Sequence, residues 1–322
     1  MADVFSQYRA PGWLPGAHLQ TVYTAKLSRF APPRYIRTRW QTPDQDFIDL
    51  DLVVPAQPPR GLLVMFHGLE GDSSSQYAVS AMQAAQQAGW IGCVPHFRGC
   101  SGEVNLAPRA YHSGDSAEID WILRRLATEY PDLPRYACGV SLGGNALLKW
   151  AGEQGEAASQ VVSAVAGISA PQDLHAGAVA LSQGFARLYT WSFFRSLRIK
   201  SLAKLEQYPG LFDRDTMLRA RDFFDYDDAV TARMHGFHSC FDYWGRSSCK
   251  RYLGGVRVPT LVVNARNDPF LPERHLARPE QVSAQVRLHY PDTGGHVGFI
   301  SGRWPGRIDW FGQQLVQWFE HG

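Results

Sequence analysis

Three short apolar runs constrain this chain more than anything else in it: residues 61–66, 90–95 and 259–264. Each is β-branched or Leu-rich and ends in glycine or polar turn residues, the pattern of a strand buried on both faces of a parallel sheet. Residues 135–140 and 161–168 fit the same template more loosely. Helical patterns lie between them. Residues 76–88 are rich in Ala and Gln, residues 115–129 set Ile119, Ile122, Leu123 and Leu126 at helical spacing, and residues 145–152 continue directly from a turn at Ser141. Strands alternating with helices require crossover connections, so the expected fold class is α/β, a mostly parallel central sheet flanked by helices.

The flanks of this pattern differ from it. Five prolines interrupt the first 50 residues, where 35–40 and 47–53 read as an antiparallel hairpin at a sheet edge. Between 171 and 255 the alternation stops, and aromatic and basic residues crowd segments such as 188–194. The chain has 322 residues, and a length prior of about 150 residues per domain would suggest two domains, yet many α/β folds carry this length as one with an insertion. The expected organisation is a single domain, 1–322, with an N-terminal extension and edge hairpin over 1–50 and a helical lid, 171–255, inserted between core strands.

Charge and cysteine usage narrow the function classes. A net charge of +2 with no clustered basic face argues against a nucleic-acid partner. Five cysteines, an odd number without C-x-x-C spacing, speak against a zinc site and a disulfide framework. Residues 1–6 show no basic-then-apolar leader, and no apolar stretch approaches the roughly 20 residues of a membrane span. The expectation is a cytoplasmic protein with reduced thiols, no integral membrane segment, no metal and no organic cofactor. Oligomeric state is not legible.

The chemistry-bearing signal is Gly139-Val140-Ser141-Leu142-Gly143, between the strand pattern ending at Cys138 and the helical pattern that follows. In a G-x-S-x-G elbow the serine sits on a strained strand-to-helix turn, and its neighbours are glycines because strand and helix pass too close for side chains. With 30 glycines in the chain, chance alone supplies about 0.2 such strings, so the placement carries the argument. A serine needs a base, and in this architecture an acid follows a late strand and a histidine follows the next. The run 260–264 leads into Asn267-Asp268-Pro269, where proline ends strand pairing and favours a turn. Residues 286–290 are followed by the glycine pair Gly294-Gly295, read as flexible, and then His296. The order Ser141, Asp268, His296 is the one a triad on this fold requires. The loop His67-Gly68-Leu69-Glu70-Gly71 after the first buried strand matches an esterase H-G-x loop, making the Leu69 N–H the expected second oxyanion donor beside that of Leu142.

On these residues the sequence resembles the YheT-like α/β hydrolases, the branch that also holds plant and animal esterases and yeast medium-chain ester synthases. The likeness runs through Trp13-Leu14-Pro15-Gly16-Ala17-His18-Leu19-Gln20-Thr21, the His67-Gly68 loop, Phe97-Arg98-Gly99-Cys100-Ser101-Gly102, the segment from Gly236-Phe237 to Asp242-Tyr243, and the spacing from Val256 and Pro259 to Asn267-Asp268. It departs at Trp244, where the family pattern has tyrosine. The resemblance implies an α/β-hydrolase fold and ester hydrolysis or acyl transfer. The expected activity is a serine carboxylic-ester hydrolase, a carboxylesterase-type enzyme working through an acyl-enzyme on short- or medium-chain acyl esters, with a small-molecule acyl ester as its partner. The alternatives are an acyltransferase passing the acyl group to an alcohol and a non-catalytic scaffold on the same fold.

Other residues have structural readings. His67 is expected to pack or bond its loop, and His112 to lie in the loop leading to a helix cap near Asp115. Arg98 is expected to anchor its loop through backbone carbonyls or a carboxylate such as Asp115 or Asp120. His67 and Asp72 spell H-x-x-x-x-D, a coincidence within the oxyanion loop. Cys100 and Cys138 read as inert packing. The aromatic run 188–194 is either lid core or the wall of an acyl pocket.

Overall fold

A computed structural model describes residues 8–27 and 30–321; the leader-free reading of residues 1–6 lies outside them. Eight strands form one sheet: β1 (Ile36–Gln41), β2 (Phe47–Val53), β3 (Leu62–Phe66), β4 (Ile91–Pro95), β5 (Arg135–Val140), β6 (Ala164–Ile168), β7 (Thr260–Val263) and β8 (Val286–His289). Their order is β1-β2-β4-β3-β5-β6-β7-β8. The pairs β1–β2 and β2–β4 are antiparallel, and every pairing from β4 to β8 is parallel.

Why the central strands are apolar throughout is visible in β3. Leu62, Val64 and Phe66 join a core with Ile119, Leu123 and Leu147, while Leu63 and Met65 join a second core on the other face with Ala78, Met82, Leu315 and Phe319. A strand with helices on both faces must be apolar at every position. The short helix α1 (Ala17–Val22) precedes the sheet, and α2 (Gln76–Gln87), α3 (Ser116–Glu129) and α4 (Leu142–Gln154) cover it. Between β6 and β7 lie α5 (Leu174–Leu181), α6 (Arg187–Gln207), α7 (Arg214–Arg219), α8 (Phe223–Tyr226), α9 (Ala232–His235) and α10 (Cys240–Ser247), and α11 (Asp309–His321) ends the fold.

Two local readings need correction. The run 161–168 is strand only over Ala164–Ile168, because a 3-10 turn, Gly155–Gln160, occupies the chain just before it. The helical pattern assigned from residue 145 begins at Leu142, so the turn at Ser141 feeds the helix with no linker. Helix α11 carries no reading from the sequence. Its Leu315, Trp318 and Phe319 are buried, and Gly312 lets it cross α2 at a spacing where a Cβ would strike the Ser80 backbone.

Candidate active site

A strained serine and two close backbone approaches shape the turn after β5. Ser141 stands at φ +53°, ψ −119°, a left-handed conformation that costs a non-glycine residue of order 1–3 kcal/mol. A Cβ on Gly143 would sit 2.5 Å from the carbonyl oxygens of both Phe66 and His67, and one on Gly139 would run into the Gly143 backbone. Both flanking glycines are therefore required by close approach. The turn is fixed by the Ser141 N–H, which donates to the Ile168 carbonyl at 2.8 Å.

Ser141, Asp268 and His296 come together. His296 Nε2 lies 2.8 Å from Ser141 Oγ, and His296 Nδ1 lies 2.9 Å from Asp268 Oδ2. The other Asp268 oxygen accepts the Phe270 N–H at 2.8 Å. A carboxylate only accepts, so this geometry puts the ring hydrogen on Nδ1 and turns the Nε2 lone pair toward the serine hydroxyl. The Phe270 ring covers the imidazole, with centroids 3.9 Å apart and planes 10° apart.

What holds the histidine loop had no role in the sequence reading. The Thr21 hydroxyl accepts the His296 N–H at 2.9 Å, Gln20 Oε1 accepts the Gly294 N–H at 3.0 Å, and Asn267 Oδ1 accepts the Gly295 N–H at 2.9 Å. The Val297 N–H, at the unusual φ of +57° for a β-branched residue, donates to Ser169 Oγ at 3.1 Å. The pair Gly294-Gly295 is thus close-packed where flexibility was expected: a Cβ on Gly295 would lie 2.7 Å from the Ala17 carbonyl and from Thr21 Oγ1. Gln20 and Thr21 fall in the N-terminal stretch quoted above, which was the available signal; Ser169 had none.

Leu69 and Leu142 line the same cavity as Ser141. The amides around Leu69 are committed: Gly68 N–H to the Tyr77 hydroxyl and Glu70 N–H to the Tyr111 hydroxyl, each at 2.9 Å, and Gly71 N–H to the Gly68 carbonyl at 3.0 Å. The N–H groups of Leu69 and Leu142 have no hydrogen-bond partner among the described residues, and Leu142, first in α4, is at the positive end of the helix dipole. The cavity, about 160 Å³, is walled on its far side by the segment between β6 and β7, including Leu174, Phe193, Leu197 and Val230. A π-helical turn, Asp227–Thr231, forms part of that wall. Asp227 accepts from Thr231 Oγ1 and from Trp244 Nε1, and burial pushes its carboxyl up to about 6. The Trp244 departure thereby supplies a donor to a buried carboxylate.

The remaining readings divide. His67 is fully buried, with Nδ1 2.8 Å from the Gly68 carbonyl and Nε2 accepting the Phe97 N–H at 3.0 Å; burial takes it down to about 3. His112 lies, as expected, in the loop leading to the α3 cap, its carbonyl accepting the N–H of the N-cap residue Asp115 at 3.2 Å; it also lines the cavity, 4.5 Å ring to ring from His235, and burial lowers it to about 4. Arg98 does not pair with Asp115 or Asp120. It binds Glu118 at 2.5 Å and Asp44 and Asp46 at 2.8 Å, because Asp115 is taken by Arg109 and Asp120 by Arg124 and Trp150. Cys138 is buried in β5, whereas Cys100 Sγ accepts from Lys200 Nζ at 3.2 Å. The 188–194 run splits three ways: Phe193 walls the cavity, Phe194 is buried under α7 and α8, and Trp191 is exposed.

Comparison with known proteins agrees with this architecture. A family model described as the alpha/beta hydrolase fold matches residues 61–303. The Escherichia coli (strain K12) protein named 'Putative esterase YheT' is 38% identical over 94% of this chain and 89% of its own. The mouse phospholipase ABHD3 is 27% identical over 99% of this chain and 80% of its own, and the human monoacylglycerol lipase ABHD2 is 26% identical over 95% and 77%. Among solved structures, the esterase EaEST of Exiguobacterium antarcticum aligns with a TM-score of 0.55 at 17% identity, covering 88% of this chain and all of its own. No helix among the described residues is long and apolar enough to cross a membrane. With so near a relative along almost its whole length, this chain belongs to the α/β-hydrolase family, in its YheT-like branch.

Proposed function

We propose that the protein is a serine carboxylic-ester hydrolase in which Ser141, Asp268 and His296 form the catalytic triad. The observation that carries this reading is the unbroken chain of contacts from Ser141 Oγ through His296 to Asp268 Oδ2, 2.8 and 2.9 Å. His296 removes the serine proton as the hydroxyl attacks the ester carbonyl. The imidazolium is held by Asp268, then protonates the leaving alcohol, and water releases the acyl-enzyme by the same route reversed. The Leu69 and Leu142 N–H groups take the oxyanion, each worth about 3–4 kcal/mol to the transition state. The carboxylesterase specificity, on short- or medium-chain acyl groups, rests on the apolar cavity wall. In this reading residues 171–255 act as a lid on a single domain.

A second reading is favoured by the closure of the site: an imidazole under Phe270 and a cavity walled by α5 and α6 restrict water, which favours acyl transfer to an alcohol. Hydrolysis of p-nitrophenyl esters from acetate to palmitate, wild type beside Ser141→Ala, tests the first reading. An optimum that vanishes in the variant supports it, and turnover surviving in Ser141→Ala sinks it. Product analysis with added ethanol separates hydrolysis from transfer.

A further inference from the structure

Helix α6 has two unlike faces. At about 100° per residue, Phe193, Leu197, Lys200, Ser201 and Lys204 fall on one side, and these line the cavity. Leu188, Trp191, Arg195 and Ile199 fall on the opposite side and face solvent, with Leu188 55%, Trp191 62% and Ile199 69% exposed. Phe185, 51% exposed in the turn just before the helix, and Leu19, 42% exposed on α1, extend this face. The His18 ring, 4.6 Å from Phe185, ties the two elements together. Single exposed apolar residues are ordinary on any surface, but a cluster of five large ones is a binding feature.

The charge on this helix has one sign. Arg187, Arg195, Arg198, Lys200 and Lys204 are opposed only by Glu206 near its end. Lys200 is drawn inward to Glu70 at 2.8 Å, and Lys204 to the carbonyls of Asn105 and Ala107. Arg187 and Arg195 remain exposed among the apolar groups, and the Arg195 guanidinium lies 5.2 Å over the Trp191 ring. Large apolar side chains with a tryptophan, flanked by arginines and without an acid, are what a helix lying in the headgroup region of a bilayer presents. The arginines select an anionic surface. A second copy of the chain is a poorer occupant, since a two-fold contact would set arginines against arginines.

We propose that the outer face of α6, with Phe185 and Leu19, docks on an anionic phospholipid surface and takes its acyl ester from there. The helix that carries this face is close to the chemistry: Tyr189, on its inner side, lies 4.9 Å from Phe270, which covers the His296 ring. The proposal rests on the esterase reading for its substrate, but its test does not.

The test is co-sedimentation of the full-length Ser141→Ala protein with vesicles of phosphatidylcholine alone and of phosphatidylcholine with phosphatidylglycerol. Binding is expected to the anionic vesicles, weaker in high salt, and lower by about tenfold or more in Leu188→Ser/Trp191→Ser. Arg187→Glu/Arg195→Glu should erase the preference for anionic vesicles. With Ser141 in place, Leu188→Ser/Trp191→Ser should turn over a soluble short-chain ester as the wild type does, which shows that it is folded. No binding to either vesicle, or binding that the double variant retains, overturns the proposal. So does self-association that Leu188→Ser/Trp191→Ser abolishes, which would assign the face to a second copy. If the wild type binds vesicles but neither turns over esters nor reacts with a fluorophosphonate, the docking surface stands and the esterase reading falls.

Discussion

The Thr21 hydroxyl accepts the backbone N–H of His296 at 2.9 Å, across 275 residues of chain. The same hydroxyl donates to the Ala17 carbonyl at 2.8 Å, so the short helix α1 and the histidine loop share one buried group. An N-terminal segment thus sets the position of a histidine near the other end of the chain, in a loop that is itself neither strand nor helix.

Thr21→Val keeps the shape and removes that group. It leaves the His296 N–H buried without an acceptor, at about 1–3 kcal/mol. The expected outcome is a lower denaturant midpoint and a kcat reduced about tenfold with KM nearly unchanged, since an imidazole displaced by a fraction of an ångström loses alignment with Ser141 before it loses substrate. Thr21→Ser should restore both. Stability lost with kcat intact would mean that the contact is structural only.

Gly68→Ala probes the proposed second oxyanion donor, the Leu69 N–H. The added methyl would meet Ser141 Cβ at 3.1 Å, tight enough to move the loop without breaking it. Because this loop carries the Leu69 N–H, kcat on a p-nitrophenyl ester should fall by about tenfold or more, toward the 10²–10³ that loss of a whole donor costs. Gly143→Ala, 2.5 Å from two carbonyl oxygens, should instead compromise folding. A Gly68→Ala enzyme as fast as the wild type would argue against the Leu69 assignment.

How far the sequence could be read depends on how local each signal is. The apolar runs behind β3, β4 and β7 announce themselves because parallel strands are buried on both faces, and the alternation with helices leads directly to the fold class. Ser141, Asp268 and His296 were nameable because each follows a strand, and chain order reports loop order. The support of the histidine loop was illegible for the opposite reason: Thr21, Gln20 and Ser169 act only through chain folding that brings distant segments together. The partners of Arg98 were misread for the same cause. Asp44 and Asp46 sit in the β1–β2 turn, far away in sequence, whereas Asp115 and Asp120 are nearer in sequence but are satisfied by other groups.

The Arg98 cluster should be costly to break. Its guanidinium, 6% exposed as a residue, neutralises Asp44, Asp46 and Glu118 together, and burial followed by the Asp115 charge already pushes the Glu118 carboxyl up to about 7. Arg98→Met would leave buried carboxylates without a counter-charge, so a loss of about 3–5 kcal/mol in urea unfolding is expected. A loss below about 1 kcal/mol, the range of exposed pairs, would show that the carboxylates relax to water or protonate at little cost.

Asp227 offers a titration with a defined sign. Burial holds its carboxyl at about 6 in the folded protein, above the ordinary 3.8, despite the donors on Thr231 and Trp244. The folded state therefore binds this proton more tightly than the unfolded chain. Its contribution to stability is fully present below about pH 4 and is lost as the pH rises through about 6. Asp227→Asn cannot titrate and keeps an oxygen for the Trp244 N–H. Measured by urea unfolding, the two proteins should be nearly equal in stability at about pH 4. The variant should gain on the wild type up to about pH 6.5, reaching a difference on the order of 3 kcal/mol. A difference that stays constant across this range would remove Asp227 from the groups that titrate on folding.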